Sequence, residues 1–502
     1  MTIGIWILGD RLTKKQLSLK DNQDSKDKTP VILIESSDYA RQRPYHRQKL
    51  VLVWSAMRHF AEELKADNWQ VTYAIAENFV TPLQNWIEAN KITELQITIP
   101  CDRPFYSFLY SLDLNCKIVF LADNHFLWDR EDFIAWAKPR KRLLMEDFYR
   151  ESRKKFNILM DGKKPVGGKW NYDKDNRKPP KKDLQTPLPL AFTPDAITQE
   201  VINRIETEKL SSYGQIETFT WGVTRQQALE VLNYFIEQCL PNFGKYQDAM
   251  ITGEYTMWHG LISPYLNLAL LDPMEVIHAV EKAYDLYELP LNSVEGFIRQ
   301  VMGWREYMHG IYHLQDEKYG EKNWFDHDKP LPKFFWDAQQ AEMNCLRQTL
   351  IQLETTGYGH HIQRLMVLSN FALIAGISPQ AIEDWFHSAF IDAYDWVMQT
   401  NVIGMGQFAD GGILASKPYA ASANYINKMS DYCQGCKYNQ KERTREKACP
   451  FNFFYWDFLI RHQDKLRSLG RMNLVLSHLK KISPEESEQI RFQARQWWKR
   501  EN

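Results

Sequence analysis

The chain has 502 residues and a net charge of −1, with 62 Lys or Arg residues against 63 Asp or Glu residues. Hydrophobic residues make up 44% of the chain and charged residues 25%, which is typical of a globular protein and excludes a disordered or fibrous one. No apolar run approaches the ~18 residues that a membrane helix needs, and the N-terminal residues do not match a secretory signal. At about 100–200 residues per domain, we expect two or three domains in a soluble, cytoplasmic monomer.

Two features of the composition are unusual. The chain holds 17 Trp, 24 Tyr and 26 Phe residues, which is rich in aromatic residues even for a large core. Its charge is also uneven, because residues 138–182 carry sixteen Lys or Arg residues and only six Asp or Glu residues, a local net charge of +10. The near-zero total therefore does not exclude nucleic acid as a partner.

The first 128 residues alternate short apolar runs with segments of helical period. We predict buried parallel strands at 3–8, 31–34, 71–74, 95–99 and 117–121, and a helix at 49–64. Strands that alternate with helices predict an α/β domain with an open, doubly wound parallel sheet. Ligands bind such sheets at the carboxyl ends of the strands. Asp10 follows the first strand and Glu35 the second, so both are expected at that edge.

The rest of the chain is predicted to form a connector and a helical domain. Residues 129–220 combine the basic cluster with five prolines between 179 and 194 and little sustained periodicity, which indicates an interdomain connector. Residues 221–502 have a helical pattern, with helices expected at 294–313, 357–375 and 381–398. The expected fold class is an α/β domain followed by an all-helical domain.

Three cysteines near the C-terminal end have the spacing of metal ligands. Cys433 and Cys436 form a CxxC pair, and Cys449 follows after twelve intervening residues and precedes a proline. Cys345, far upstream, is a candidate for a fourth ligand. Converging thiolates suit either zinc or an iron–sulfur cluster, and the spacing alone leaves both open. An odd total of seven cysteines argues against a disulfide framework.

The basic cluster predicts binding to a nucleic-acid backbone. Few acidic residues offset its positive charges, and aromatic residues are interleaved with them. This combination favours binding to phosphates and stacking on bases over the alternative, a basic surface that only contacts solvent. The basic residues are Lys138, Arg140, Lys141, Arg142, Arg150, Arg153, Lys154, Lys155, Arg177, Lys178, Lys181 and Lys182, and the aromatic ones are Phe148, Tyr149, Phe156, Trp170 and Tyr172.

Taken together, several motifs resemble the photolyase/cryptochrome superfamily. They are similar above all to the iron–sulfur bacterial cryptochromes and photolyases, the prokaryotic (6-4) photolyases, and they are spread over nearly the whole chain. The motifs are LGDRL at 8–12, SAMRHF at 55–60, MDG at 160–162, PVGG at 165–168, NRK at 176–178, GLISPYL at 260–266, GWREY at 303–307, HHIQRLM at 360–366, YCQGC at 432–436 and CPFN at 449–452.

The resemblance implies three cofactors. A U-shaped FAD is expected in the helical domain, with Ser263 at a flavin phosphate, Arg364 and Asp392 as paired charges at the isoalloxazine edge, and Met398 near flavin N5. It also implies a 6,7-dimethyl-8-ribityllumazine antenna in the α/β domain, for which Asp10 and Glu35 are the candidate contacts. A [4Fe-4S] cluster is expected on Cys345, Cys433, Cys436 and Cys449.

The resemblance further implies light-driven repair of ultraviolet-damaged DNA. The substrate would be a (6-4) pyrimidine–pyrimidone lesion flipped into the flavin pocket, where damage lowers the cost of flipping. Gln300 and Trp304 are expected to line that pocket, and Arg177, Lys178 and Lys181 to hold DNA phosphates. His361 or His360 is the expected proton donor, because histidine can give and recover a proton near neutral pH.

Two positions depart from the family pattern and keep a second function open. Met398 stands where relatives carry Asn or Glu, and a thioether is a poor hydrogen-bond partner for flavin N5–H. Phe386 replaces a tyrosine next to Trp385, which together with Trp336 is the candidate electron path to the surface. The alternative is a cryptochrome-type blue-light photoreceptor with the same cofactors. A zinc-containing nucleic-acid-binding protein without chemistry is a third possibility, and it predicts a colourless preparation.

Overall fold

The fold was analysed in a computed structural model that describes residues 2–181 and 184–501. The prediction that Lys182 contributes to a phosphate-binding surface falls outside the described residues. Within them, no helix is both long enough and apolar enough to span a membrane.

The N-terminal part is the predicted open parallel sheet. Its five strands pair in the order β3-β2-β1-β4-β5, and every pairing is parallel. The order reverses direction at β1, which pairs with β2 on one side and β4 on the other. Such a reversal leaves a crevice at the carboxyl ends of the strands. The strands are β1 (Ile3–Trp6), β2 (Val31–Ser36), β3 (Val71–Ala76), β4 (Glu94–Thr98) and β5 (Lys117–Leu121).

Helices cover both faces of this sheet and divide its apolar side chains into two cores. The face toward the third helix joins a core that continues into the helical part of the chain and includes Val51 and Phe60. The opposite face forms a smaller separate core around Leu83 and Trp86. The helices are α1 (Leu17–Asp21), α2 (Ser37–Arg41), α3 (Arg47–Ala66), α4 (Val80–Asn90) and α5 (Arg103–Tyr110).

The connector contains more regular structure than its composition suggests. Phe148 and Tyr149 are fully buried, so they belong to the core rather than to a surface for stacking bases. Arg153 is also buried and donates to the carbonyls of Ile158, Leu159 and Trp170, which removes it from the predicted phosphate-binding set. The elements are α6 (Arg130–Ala137), α7 (Met145–Phe156), the antiparallel pair β6 (Met160–Asp161) and β7 (Lys164–Pro165), and α8 (Ala196–Thr207).

The remainder is helical, as predicted. Its helices are α9 (Arg225–Tyr234), α10 (Leu240–Tyr246), α11 (Ser263–Asn267), α12 (Pro273–Tyr287), α13 (Leu291–Ile298), α14 (Glu306–Leu314), α15 (Asn344–Thr356), α16 (Asn370–Ala375), α17 (Pro379–Ala389), α18 (Asp395–Met398), α19 (Ala423–Met429), α20 (Pro450–Arg461), α21 (Gln463–Arg467), α22 (Asn473–Ser477) and α23 (Pro484–Glu501).

These helices are interrupted where side chains converge on a cavity. π-helical turns at Arg299–Arg305, Gln363–Ser369 and Gln399–Gly406 each contribute residues to its wall. The segment expected as one helix at 381–398 is broken between α17 and α18, where the chain turns extended at Phe390. π-turns are frequent at functional sites because the extra residue redirects side chains.

A tight contact at Gly310 joins the connector to the helical domain. A Cβ atom at this position would lie 2.2 Å from the Phe133 ring. We expect Gly310→Ala to lower the free energy of unfolding by about 1–3 kcal/mol, because the ring must move within a close-packed core. Urea unfolding measures the change. Gly320→Ala is the control, since its Cβ would meet only the end of the Gln399 side chain at 3.1 Å. An equal loss in both variants would contradict the packing argument.

Candidate functional site

A cavity of about 320 Å³ lies in the helical domain. Its walls come from α11, from the three π-helical turns and from the break between α17 and α18. Most of the wall is apolar, with Leu261, Phe297, Met308 and Phe386 among its side chains. An apolar cavity of this size with a few converging polar groups is the usual form of a cofactor or substrate site.

A buried ion pair crosses one wall of the cavity. Arg364 Nη1 and Nη2 lie 2.9 and 3.0 Å from the two carboxylate oxygens of Asp392. Ser263 Oγ donates to Asp392 Oδ2 at 2.6 Å. Burial by itself would raise the pKa of Asp392, but the charge and hydrogen bonds of Arg364, together with Ser263, outweigh burial and lower it. The sequence analysis predicted Ser263 at a flavin phosphate. In this structure, its hydroxyl group donates its hydrogen bond to Asp392.

The two adjacent histidines occupy different environments. The His361 ring is open to the cavity, whereas His360 is 1% exposed and both its ring nitrogens lack a hydrogen-bond partner. Desolvation by the surrounding protein, and next the charge of Arg364, lower the pKa of His361 to about 4. Its imidazole is therefore neutral at pH 7 although water reaches the ring.

A third histidine belongs to the same group and has no sequence signal, since it lies about 100 residues upstream. His259 lines the cavity and stacks on His360, with ring centroids 4.4 Å apart and planes 8° from parallel. Burial, and then the neighbouring His361, lower the pKa of His259 to about 3. The structure thus brings three neutral imidazoles together at one wall.

Gln300, Trp304 and Met398 all line the cavity. The sequence analysis predicted the first two as pocket residues and the third as a cofactor neighbour. Gln300 Nε2 donates to the Gly296 carbonyl at 3.1 Å, which leaves its amide oxygen available. Met398 is 3% exposed and presents only a thioether.

Arg305 is a charged residue of the cavity that sequence reasoning did not assign to the site. Its Nη1 pairs with Glu306 Oε1 at 2.6 Å, while Nε and Nη2 are buried without a hydrogen-bond partner. Glu306 is occupied in turn, because its Oε2 accepts the backbone N–H groups of Leu127 and Trp128 at 2.7 and 3.1 Å. A buried guanidinium with free donors is suited to an anionic ligand group such as a phosphate. The signal for Arg305 in the sequence was its place in the GWREY motif at 303–307.

The four candidate cysteine ligands converge. Cys345 near the start of α15, Cys433 and Cys436 after α19, and Cys449 at the N-terminus of α20 all line one small cavity, and none is in a disulfide. Burial first, and then the other three cysteines, raise the pKa of Cys345 well above its usual value. Thiolates at this place therefore need a compensating cation.

The spacing of the four sulfur atoms bears on which metal they fit. Bound to one zinc ion at about 2.3 Å, sulfur atoms would lie about 3.8 Å apart. Among the described residues, no three of these cysteines have sulfur atoms within 4.8 Å of one another. This observation, like the spacing in the sequence, leaves both zinc and an iron–sulfur cluster open.

A second cavity, of about 130 Å³, lies at the carboxyl ends of the strands. Asp10 lines it, together with Lys49, Asp102, His387 and aromatic side chains.

Glu35, predicted beside Asp10, does not line this cavity. Its carboxylate is fully buried and accepts from Arg58 Nε and Nη2 at 2.8 and 3.1 Å, and also from Arg204 and Tyr73. Two arginines from α3 and α8 therefore hold it within the domain, a partnership that the spacing of strand ends does not reveal.

The two candidate electron carriers sit at different depths. Trp385 is fully buried, and its Nε1 donates to the Phe335 carbonyl at 2.8 Å. Trp336, the next residue after Phe335, is 38% exposed and packs edge-on against Tyr213 with ring centroids 5.2 Å apart. Phe386, beside Trp385, lines the large cavity.

The predicted DNA contacts lie on the surface. Arg177, Lys178 and Lys181 are exposed, and Arg177 pairs with Asp173. Burial raises the pKa of Asp248 to about 6 against the opposing charge of Arg177. Asp248 lines the large cavity, so the charge of Arg177 acts on a group in the cavity wall.

Some known proteins and families match part of this chain, and one relative matches nearly all of it. Residues 5–221 match the family model for deoxyribodipyrimidine photo-lyase-related protein. A (6-4) photolyase from Agrobacterium fabrum is 42% identical over 498 residues, 98% of each chain. An uncharacterized mimivirus protein is 37% identical over 109 residues, 22% of this chain and 81% of its own.

The fold also matches a solved structure. The crystal structure of a bacterial class III photolyase from Agrobacterium tumefaciens aligns with a TM-score of 0.56 at 16% identity, over 93% of this chain and 98% of that one. This likeness confirms the α/β-plus-helical fold class.

The Arg364–Asp392 pair yields a stability prediction. Asp392→Asn leaves a guanidinium that is only 17% exposed without its counter-charge, so we expect a loss of about 3–5 kcal/mol in the free energy of unfolding. Glu275→Gln is the matched control, because the Arg225–Glu275 pair is 36% and 30% exposed and exposed pairs contribute about 1 kcal/mol or less. Denaturant unfolding compares them, and equal losses would refute a special role for the buried pair.

Proposed function

The chain belongs to the (6-4) photolyase family, and we propose that it uses light to repair (6-4) pyrimidine–pyrimidone photoproducts in ultraviolet-damaged DNA. In this proposal it acts as a cytoplasmic monomer. The observation that carries the proposal is the family membership along the whole chain, joined to a cavity that His361, Gln300 and Trp304 all line.

FAD is the proposed cofactor of the large cavity. Arg305 has two free donors for the phosphates, and the Arg364–Asp392 pair offers charges for the flavin ring edge. Ser263 and Met398 complete the proposed contacts. When bound and reduced, FAD supplies an electron to the lesion on blue-light excitation and recovers it afterwards. Because Arg364 and Asp392 are paired with each other, both charged groups keep a fixed orientation without hydrogen bonds to water.

His361 is the proposed proton donor to the lesion. Its ring faces the cavity, where desolvation and Arg364 favour the neutral imidazole. Proton donation requires the imidazolium, and negative charge on the bound DNA and on the lesion would favour that form by raising the pKa of His361. The imidazolium then gives its proton to the lesion and recovers it when the negative charge is lost. His360 and His259 stack on each other beside His361. Both imidazoles are neutral, so neither adds a positive charge next to His361.

The proposed substrate is a lesion in DNA. Some of the proposed contacts lie on the protein surface and others lie inside the cavity. Arg177, Lys178 and Lys181 neutralise backbone phosphates at the surface. Trp304 offers an aromatic face, and Gln300 an amide oxygen, to the flipped lesion inside the cavity. Because a damaged base pair stacks poorly, flipping it costs less than flipping an intact base.

Two further cofactors and an electron path are also proposed. Cys345, Cys433, Cys436 and Cys449 would hold a [4Fe-4S] cluster that ties α15, the loop after α19 and α20 together. The second cavity, with Asp10 in its wall, would take the ribityllumazine antenna. Trp385 and Trp336 would carry electrons between the cavity and the surface.

A blue-light photoreceptor is the second candidate function. The observation that favours it is Met398, which is buried at the cavity wall and cannot hydrogen-bond as an amide or carboxylate does. Under this alternative, the same cofactors change the protein's interaction with a partner instead of repairing DNA.

The repair function predicts a specific loss at His361. Illuminating the reduced protein with an oligonucleotide that contains a (6-4) lesion should restore the intact bases. His361→Ala should lower the repair rate at least about 100-fold, the usual contribution of a general acid, while FAD content stays unchanged. His278→Ala, at an exposed position on α12, is the control.

Two results would count against this account. Repair by His361→Ala at the wild-type rate would remove its role as proton donor. A lesion that persists in the wild-type protein while the flavin photoreduces normally would favour the photoreceptor.

The cluster proposal predicts iron and broad visible absorbance. We expect about four iron atoms per chain, and Cys345→Ser should lose most of them because a buried ligand is removed. Cys239→Ser is the matched control, since Cys239 is also buried but lies in a π-helical turn outside the cysteine cavity. Zinc instead of iron, or full iron content in Cys345→Ser, would reject the assignment.

A further inference from the structure

Three ligand-type side chains meet outside the large cavity and the cysteine cavity. Glu383 and His387 lie one turn apart on α17, and Asp395 is the first residue of α18. Each offers one ligand atom within 4.8 Å of the other two. Residues at i and i+4 of a helix share a face, so Glu383 and His387 can bind one ion together.

The histidine of this group is buried without a partner. His387 is 8% exposed, and its Nδ1 makes no hydrogen bond. The nearest carboxylate oxygen, Glu383 Oε1, lies 4.0 Å from Nδ1 and is itself without a partner. Burial first, and then the charges of Lys49 and Arg43, lower the pKa of His387 well below its usual value, so the imidazole is neutral and keeps a lone pair for a metal.

Acidic groups around this histidine outnumber the cations that could neutralise them. Glu383 and Asp395 are both buried, and Asp102 lines the adjoining second cavity. The nearby Lys49 ammonium donates to the carbonyls of His387 and Ala393.

The remaining charges near the group are already partnered. Arg43 pairs with Asp384, and the Arg103 guanidinium lies over the Tyr312 ring and donates to backbone carbonyls. A divalent cation at the centre of the group would balance the charge of Glu383 and Asp395 in their ionised forms.

We propose that Glu383, His387 and Asp395 form a binding site for one divalent transition-metal ion, such as Zn²⁺ or Mn²⁺. One imidazole and two carboxylates suit these ions better than Ca²⁺ or Mg²⁺, which prefer oxygen alone. With bonds of about 2.0–2.1 Å at a tetrahedral ion, the imidazole nitrogen and carboxylate oxygen would lie about 3.3 Å apart, so a small side-chain rotation closes the present gap.

The surroundings also have the form of a metal site. Asp395 accepts from the Tyr312 hydroxyl and, at 3.1 Å, from Gln399 Nε2, and such second contacts orient a metal-binding carboxylate. His387 and Asp102 line the second cavity, through which an ion can reach the group before the proposed antenna fills that cavity. The site shares no residue with the proposed FAD or cluster ligands, and it adjoins the proposed antenna cavity.

The test uses the full-length protein with Mn²⁺ as the probe. We expect about one Mn²⁺ per chain to be retained after gel filtration, and pulsed electron paramagnetic resonance to detect nitrogen coupling from one imidazole. His387→Gln should abolish the nitrogen coupling and weaken Mn²⁺ binding at least about tenfold. Glu383→Gln, which keeps the size of the side chain, should weaken binding by a similar factor.

His278→Gln is the matched control, because it makes the same substitution as His387→Gln at an exposed position on a different helix, α12. It should bind Mn²⁺ as the wild type does. The proposal is overturned if wild-type protein retains no Mn²⁺ or Zn²⁺, or if bound Mn²⁺ has no nitrogen coupling. It is also overturned if either His387→Gln or Glu383→Gln binds Mn²⁺ with wild-type affinity. Either variant suffices for this comparison if the other fails to fold.

Discussion

The bidentate ion pair between Arg364 and Asp392 is the interaction on which the cavity depends. Charges with so little exposure must be paired, so the two segments that carry them cannot separate without a large penalty. Arg364 belongs to the π-helical turn before α16, and Asp392 to the break between α17 and α18. Ser263 adds the start of α11. One carboxylate thereby joins three segments that are distant in sequence.

The backbone irregularities follow from the same requirement. On a helix, residues three and four apart share a face, so one helix can line a cavity with a stripe of side chains. Gln300 and Trp304 keep this spacing through the π-turn at Arg299–Arg305, and both line the cavity together with Arg305. Ending α17 at Ala389 frees Asp392 from helical geometry and lets it meet Arg364. The fold thus combines regular helices outside with irregular backbone at the cavity.

Sequence reasoning predicted local features well and long-range partners poorly. The five strands were predicted within one or two residues, because apolar periodicity is a local signal. The break after Ala389 was missed, since the apolar pattern continues through it. Phe148 and Tyr149 were interpreted as surface residues because surrounding charges hid their periodicity, and Arg153 in the same helix is held by carbonyls. Within the site, His259 and Arg305 could be recognised as site residues only in the folded structure, where both line the cavity.

Glu306 links the cavity to the rest of the molecule. One carboxylate oxygen holds the N–H groups of Leu127 and Trp128, where the α/β domain ends, and the other holds Arg305 at the cavity wall. A movement of the N-terminal domain relative to the helices must therefore strain the guanidinium that faces the cavity. Conversely, an anion on Arg305 stiffens the junction, so occupancy of the cavity and resistance of the junction to proteolysis should rise and fall together.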